Sequence, residues 1–131
     1  MSELIQKLLL VEDEEVLRRV TSGVLAALGV EVTTAQDGLE ALELVKKNQF
    51  DVIVSDIAMP NMNGLDFLRA ARNCGYAKPF LFLTGYGGPD FEAEAKQYGV
   101  FAYMSKPYRK ATHAHVVLEA LKLSREGSHA K

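Results

Sequence analysis

The sequence has no tryptophan, a single cysteine, four prolines and no surplus of positive charge. Each shortage excludes something. Cys74 alone cannot form an internal disulfide, which fits a reducing compartment. The apolar run Leu8 to Val11 is far shorter than the roughly 20 residues a membrane-spanning helix needs. Met1 to Lys7 lacks the apolar core of a secretory signal. The expected location is the cytoplasm. Lysine and arginine number 15 against 17 aspartates and glutamates, a formal net charge of -2. No basic field is available to draw in a nucleic-acid backbone, so the expected partner is a protein. Linkers and low-complexity segments are also missing. The 131 residues, 48% apolar and 24% charged, suit one folded domain with its own core and leave no room for a second.

What is present is an alternation. Short apolar runs at Lys7 to Val11, Glu31 to Ala35, Asp51 to Ser55, Pro79 to Leu83 and Phe101 to Met104 read as strands, and each is followed by a segment of helical period. Five such rounds predict a parallel sheet covered by helices on both faces. In the first helix Val16, Val20, Val24 and Leu28, with Leu17 and Leu25 beside them, form a stripe expected to face the sheet. Helix ends are expected at Gly29, Asn48, Gly75 and Gly99, residues that tolerate a left-handed backbone. Asp37 with Glu40 has the spacing of a capping box, and Pro89 after Gly88 suits a first helical position. The last helix is expected over Tyr108 to Leu123, with a frayed polar tail behind it.

In open α/β sheets ligands bind beyond the carboxyl ends of the strands, so the residues after each apolar run are the informative ones. Strand one ends in Glu12 and Asp13, strand three in Asp56, strand four in Thr84, and strand five leads to Lys106. Strand two ends in nothing comparable. Three carboxylates on one rim repel unless one is protonated or cations are supplied. Magnesium suits such a rim, because it takes oxygen ligands, keeps several waters and pairs one or two carboxylates with a phosphate. Lys106 adds a second positive charge. With both in place the Asp56 carboxylate can attack a phosphoryl group and form an acyl phosphate, and the Thr84 hydroxyl can hydrogen-bond a phosphoryl oxygen.

Taken singly, each residue has a plainer reading. Asp13 is a helix N-cap and Glu12 an exposed charge. Asp56, ahead of Pro60 and Asn63-Gly64, orders a turn. Thr84 is a loop residue and Lys106 a solvated one. Their joint placement at four strand ends favours the shared chemistry. His113 and His115, two residues apart, lie on different helix faces and are read as packing or solvated groups, not metal ligands.

At this point the sequence resembles the response-regulator receiver family, including single-domain chemotaxis-type regulators, over about Lys7 to Leu123. Leu9-Leu10-Val11-Glu12-Asp13-Glu14 is similar to the family's acidic-pair segment. Ser55-Asp56-Ile57-Ala58-Met59-Pro60-Asn61-Met62-Asn63-Gly64 is similar to its phosphoacceptor segment, Leu83-Thr84-Gly85 to its switch-threonine segment and Ser105-Lys106-Pro107 to its lysine-proline segment. The resemblance implies a flavodoxin-like (βα)5 sandwich with sheet order 2-1-3-4-5, a receiver domain over 5–124 and a disordered polar tail over 125–131. It implies magnesium, replaceable by manganese, on Glu12, Asp13, Asp56 and the Ala58 carbonyl. Asp56 is then the phosphoacceptor, Thr84 and Lys106 touch the phosphoryl group, and Tyr103 is the aromatic that turns inward with Thr84. It further implies a cis Lys106-Pro107 bond, and a histidine kinase or phosphotransfer protein as donor.

The same resemblance makes the surface of helix four, strand five and helix five the output face toward an unnamed protein target, in a monomer or a phosphorylation-dependent dimer. The chain would not be an enzyme in the usual sense, although it takes part in its own phosphorylation and slow dephosphorylation. Two positions that tune the lifetime of the modification in the family are here Ala58 and Tyr86. A methyl group at Ala58 cannot orient a water, and Tyr86 is large enough to cover the phosphoryl oxygens, so a long-lived acyl phosphate is expected. Gly85, Gly87 and Gly88 give the loop around Tyr86 conformational freedom. Other readings of the chain are a phosphorelay intermediate, a receiver cut from a larger regulator, and a pseudo-receiver that never carries phosphate. Two further ones fit less well. An aspartate-nucleophile phosphatase wants an acid where Ala58 stands, and a flavodoxin-type carrier wants a phosphate loop where Glu12 to Glu15 would repel it.

Overall fold

Strands buried on both faces read as unbroken apolar runs, and those runs become the strands of the computed structural model, which describes residues 5–85 and 89–129. They are β1 (Lys7–Val11), β2 (Glu31–Ala35), β3 (Val52–Ser55), β4 (Phe80–Thr84) and β5 (Ala102–Ser105). Between and after them lie α1 (Glu15–Ala26), α2 (Gly38–Lys47), α3 (Gly64–Asn73), α4 (Pro89–Gln97) and α5 (Lys110–His129). All neighbouring strands pair in parallel in the order β2-β1-β3-β4-β5. This is the order and the flavodoxin-like sandwich that the resemblance implies.

Alternate side chains of each central strand enter different cores. Leu8 and Leu10 join Val52, Val54, Leu81 and Leu83 beneath Leu25 of α1 and Val117 and Leu121 of α5. Leu9 and Val11 join Ile53, Phe80 and Phe82 beneath Ala41 of α2, Phe67 and Leu68 of α3 and Ala95 of α4. The second core is aromatic. Phe80 stands between Phe67 and Phe82 at ring separations of 5.4 and 5.2 Å, and Phe82 continues to Phe91 at 5.2 Å.

Three expectations are corrected. In α1 the buried face runs through Thr21 and Leu25, with Leu17, Val24 and Leu28 half-buried, whereas Val16 and Val20 are 69% and 58% exposed. A spacing of four overshoots the helical repeat by about 40° each time, so a row of that spacing winds off the sheet-facing side. Helix α5 does not stop at Leu123: it continues to His129, and Ser124 is buried with its hydroxyl 3.4 Å from Asp51 Oδ1. The residues expected to form a frayed tail are helical that far. Asn48 caps α2 in an extended conformation, φ -134°, while Gly29, Gly75 and Gly99 take the expected positive φ.

The glycine that bears on the site is Gly64. A Cβ there would lie 2.3 Å from the carbonyl oxygen of Asp56 and 2.8 Å from the Cα of Ile57. The bare backbone lets α3 begin directly against the loop that follows β3, and the Gly64 N–H donates to the Ile57 carbonyl at 2.7 Å. The start of α3 is capped by the Asn63 side chain, which accepts from the Asp66 N–H at 2.9 Å.

Candidate metal and phosphoryl site

Parallel pairing in register brings the carboxyl ends of β1, β3, β4 and β5 to one edge, and four of the expected residues gather there. Val11 is level with Ser55, and Thr84 with Ser105. The next residues on β1 and β3 are Glu12 and Asp56, 3% and 7% exposed. Their backbones extend the sheet, Glu12 N–H donating to the Ala35 carbonyl at 3.0 Å and Asp56 N–H to the Val11 carbonyl at 2.9 Å. Carboxylate oxygens of Glu12, Asp13 and Asp56 all lie within 4.8 Å of one another. Among the described residues no other group of histidine, cysteine, aspartate and glutamate is arranged to hold a metal.

Lys106 closes this cluster. Its Nζ stands 2.8 Å from Glu12 Oε1 and 2.9 Å from Asp56 Oδ2. The remaining oxygens are held by the main chain: Asp56 Oδ1 accepts from the Ile57 N–H at 2.7 Å and Glu12 Oε2 from the Glu14 N–H at 3.1 Å. The ammonium is positioned by its own backbone, since Lys106 N–H donates to the Thr84 carbonyl at 2.8 Å. The Lys106-Pro107 bond is cis, as expected. Burial raises the Glu12 pKa, with the charge of Asp56 adding to it, against the lowering effect of Lys106. Burial works against the Lys106 ammonium too, but its bonds to Glu12 and Asp56 outweigh that and raise its pKa.

The plainer readings of the single residues are now decided in part. Asp13 does not cap α1: the N-cap position is Glu14, and no side chain caps it. Asp13 is exposed, and among the described residues its carboxylate has no hydrogen bond or ion pair. Glu12 is buried, not a solvated charge. Asp56 does order its own turn through Oδ1, while Oδ2 faces Lys106, so the two readings of it coexist. Thr84 is the last residue of β4, partly buried beside the rim.

Ala58 lies exposed on the loop two residues after Asp56. Tyr103 is 37% exposed on β5, its ring 6.1 Å from Phe82 and its hydroxyl donating to the Glu92 carbonyl of α4 at 3.3 Å. Tyr86, with Gly87 and Gly88, falls outside the described residues. His113 and His115 fall on different faces of α5, the first buried and the second exposed. His113 is buried against Tyr108, and its Nδ1 accepts from the Arg109 N–H at 2.9 Å just ahead of α5.

One contact went unseen in the sequence. Asp37, two residues beyond β2, caps α2 through the Glu40 N–H at 2.8 Å and also accepts from Asn61 Nδ2 at 2.8 Å. Asn61 sits on the loop after Asp56 with φ 70°, so Asp37 steadies that loop from the neighbouring helix. The Asp37-Glu40 spacing signalled the cap, although Glu40 reaches back to the Gln36 N–H, not to that of Asp37. The link to Asn61 has no local signal.

Comparison with known proteins agrees with this geometry. The family model described as "Response regulator receiver domain" matches residues 8–117. Chemotaxis protein CheY-3 of Vibrio cholerae is 39% identical over 109 residues, covering 81% of this chain and 84% of that protein. The sensor histidine kinase RcsC of Escherichia coli is 32% identical over 100 residues, which are 76% of this chain and 10% of the kinase. Among solved structures, Vibrio cholerae CheY4 superposes with a TM-score of 0.80 at 35% identity, covering 92% of this chain and 99% of that one. A CheY-like receiver from Methanospirillum hungatei reaches a TM-score of 0.89 at 23% identity over 95% of this chain and 99% of its own, which speaks for the fold. The chain belongs to the response-regulator receiver family of two-component systems.

Proposed function

We propose that this chain is a magnesium-dependent phospho-switch whose phosphoacceptor is Asp56. The observation that carries the reading is the rim itself: three carboxylates within 4.8 Å of one another with one lysine bridging two of them. That donor set, all hard oxygens with Asp13 open to solvent, fits magnesium, or manganese in its place, held by Glu12, Asp13, Asp56 and the Ala58 carbonyl. When bound, the ion supplies positive charge for the phosphoryl oxygens. The protein's own groups do the rest. An Asp56 carboxylate oxygen attacks phosphorus of a phosphohistidine, the new P–O bond forms as the P–N bond breaks, and the departing ring nitrogen takes the electron pair and then a proton. Lys106 keeps contact with the transferring oxygens, and the Thr84 hydroxyl donates to one of them.

The donor in this reading is a histidine kinase or a phosphotransfer protein, in the cytoplasm. RcsC, which carries a stretch similar to this chain, is itself a sensor histidine kinase. Output runs through α4, β5 and α5, where a shallow hollow of about 570 Å³ is bordered by Thr84, Glu92, Tyr103, His115 and Val116. Phosphorylation draws the Thr84 hydroxyl toward the phosphoryl group and, with it, favours inward rotation of Tyr103. The relay-intermediate reading shares every step except the last acceptor. The test is incubation with acetyl phosphate and magnesium followed by intact mass. Wild type should gain one phosphoryl group and Asp56→Asn none, whereas an unmodified wild type would support the pseudo-receiver.

A further inference from the structure

Arg18 lies on the first turns of α1 and turns back toward the acidic pair. Its Nη1 donates to the carbonyl of Glu12 at 2.9 Å and to the carbonyl of Asp13 at 3.3 Å. These two peptides leave the sheet at the end of β1, and Glu12 is buried, so its carbonyl needs a donor that the sheet no longer supplies. Among the described residues Arg18 forms no ion pair. Its charge therefore lies behind the main chain of two clustered acids without occupying a carboxylate oxygen, whereas Lys106 occupies one oxygen each of Glu12 and Asp56.

From this geometry we infer that Arg18 is a positioning residue for the divalent-metal site: it ties the Glu12 and Asp13 carbonyls to one guanidinium nitrogen and so holds both carboxylates toward Asp56. The inference rests on the magnesium reading given above. Groups that orient ligands without touching the metal are commonly worth tenfold or more in metal affinity. Removing the donors frees the turn between β1 and α1, and the carboxylates must then be ordered by the ion itself. A lysine keeps the charge, but its stem ends one bond short of the guanidinium nitrogen that makes both contacts.

The experiment is Mn2+ titration followed by electron paramagnetic resonance on wild type, Arg18→Met, Arg18→Lys and Arg19→Met, each first shown to melt cooperatively without metal. Arg18→Met should weaken binding about tenfold and Arg18→Lys about threefold. Arg19→Met, which removes the same charge from the exposed side of α1, should stay within about twofold. With acetyl phosphate as donor, the magnesium concentration for half-maximal phosphorylation should rise in Arg18→Met while the rate at saturating magnesium changes little. A purely structural role would lower the melting temperature without that split. Unchanged Mn2+ affinity in Arg18→Met, or an equal loss in Arg19→Met, overturns the inference and leaves the function standing. If Arg18→Met does not fold, Arg18→Lys at wild-type affinity overturns it. A wild type that binds no Mn2+ takes down the metal-site reading and this inference together.

Discussion

Lys106 bridges Glu12 and Asp56, two buried carboxylates. Breaking such a bridge leaves charge without a partner in a partly desolvated place. Lys106→Met should therefore destabilise the metal-free protein by about 2 kcal/mol, below the full buried-pair penalty because the rim is partly wet. Magnesium should recover most of that loss, a result read by denaturant melts with and without the ion. His113 behaves differently. Burial and the neighbouring charges of Arg109 and His115 lower its pKa from the ordinary 6.5, and its Nδ1 must be unprotonated to accept from Arg109. For a base depressed on folding, the stabilising contribution is whole above 6.5 and is lost as pH falls through the lower folded value. Wild type should thus lose melting temperature more steeply than His113→Asn as pH falls below about 6.5, because the Asn oxygen sits where Nδ1 does and accepts the same bond without titrating. Parallel slopes would refute that role for His113.

Local pattern reveals an element when one or both of its faces are buried in a regular way. β1 and β4 were legible because every position but their ends is buried, and the strand-end residues followed from them. The sheet-facing side of α1 was misread because a row spaced by four drifts around the helix. The length of α5 was misread because Ser124 is held by Asp51, 73 residues away in sequence. Arg72 is a similar long-range device at the end of α3. Its guanidinium donates to the carbonyls of Tyr76, Lys78, Tyr98 and Gly99 at 2.8 to 2.9 Å, tying the start of β4 and the end of α4 to one side chain. Arg72→Met should cost about 3 kcal/mol. It should also speed amide exchange at the carboxyl end of α4 more than in β1. Gly64→Ala should be costly for folding as well as for function, since the added Cβ meets backbone atoms of Asp56 and Ile57 that cannot swing aside. A strongly lowered melting temperature together with weakened metal binding is the expected pair of readings.

At the scale of the whole molecule, the five-stranded sheet gathers residues separated by as many as 94 positions, Glu12 and Lys106 among them, onto one edge. Glu12, Asp13, Asp56 and Lys106 were readable from sequence because a parallel sheet sends every strand end the same way. The Asp37-Asn61 bond and the Arg18 clamp were not, because helix-to-loop bonds leave no periodic trace. In the proposed switch, charge added at Asp56 would reach Tyr103 of β5 through Thr84, the last residue of β4, which is level with Ser105. Lifetime belongs to this scale too. If Tyr86 shields the acyl phosphate, decay in magnesium should be faster in Tyr86→Ala than in wild type, and equal decay would remove shielding from the account. The central claim is the identity of the phosphoacceptor. Its most direct test is borohydride reduction of the acetyl-phosphate-treated protein, followed by peptide mass spectrometry. Reduction of an aspartyl phosphate leaves homoserine, and the account predicts it at position 56 alone. Homoserine at Asp13 or elsewhere, or none in a protein that has gained phosphate, would contradict it.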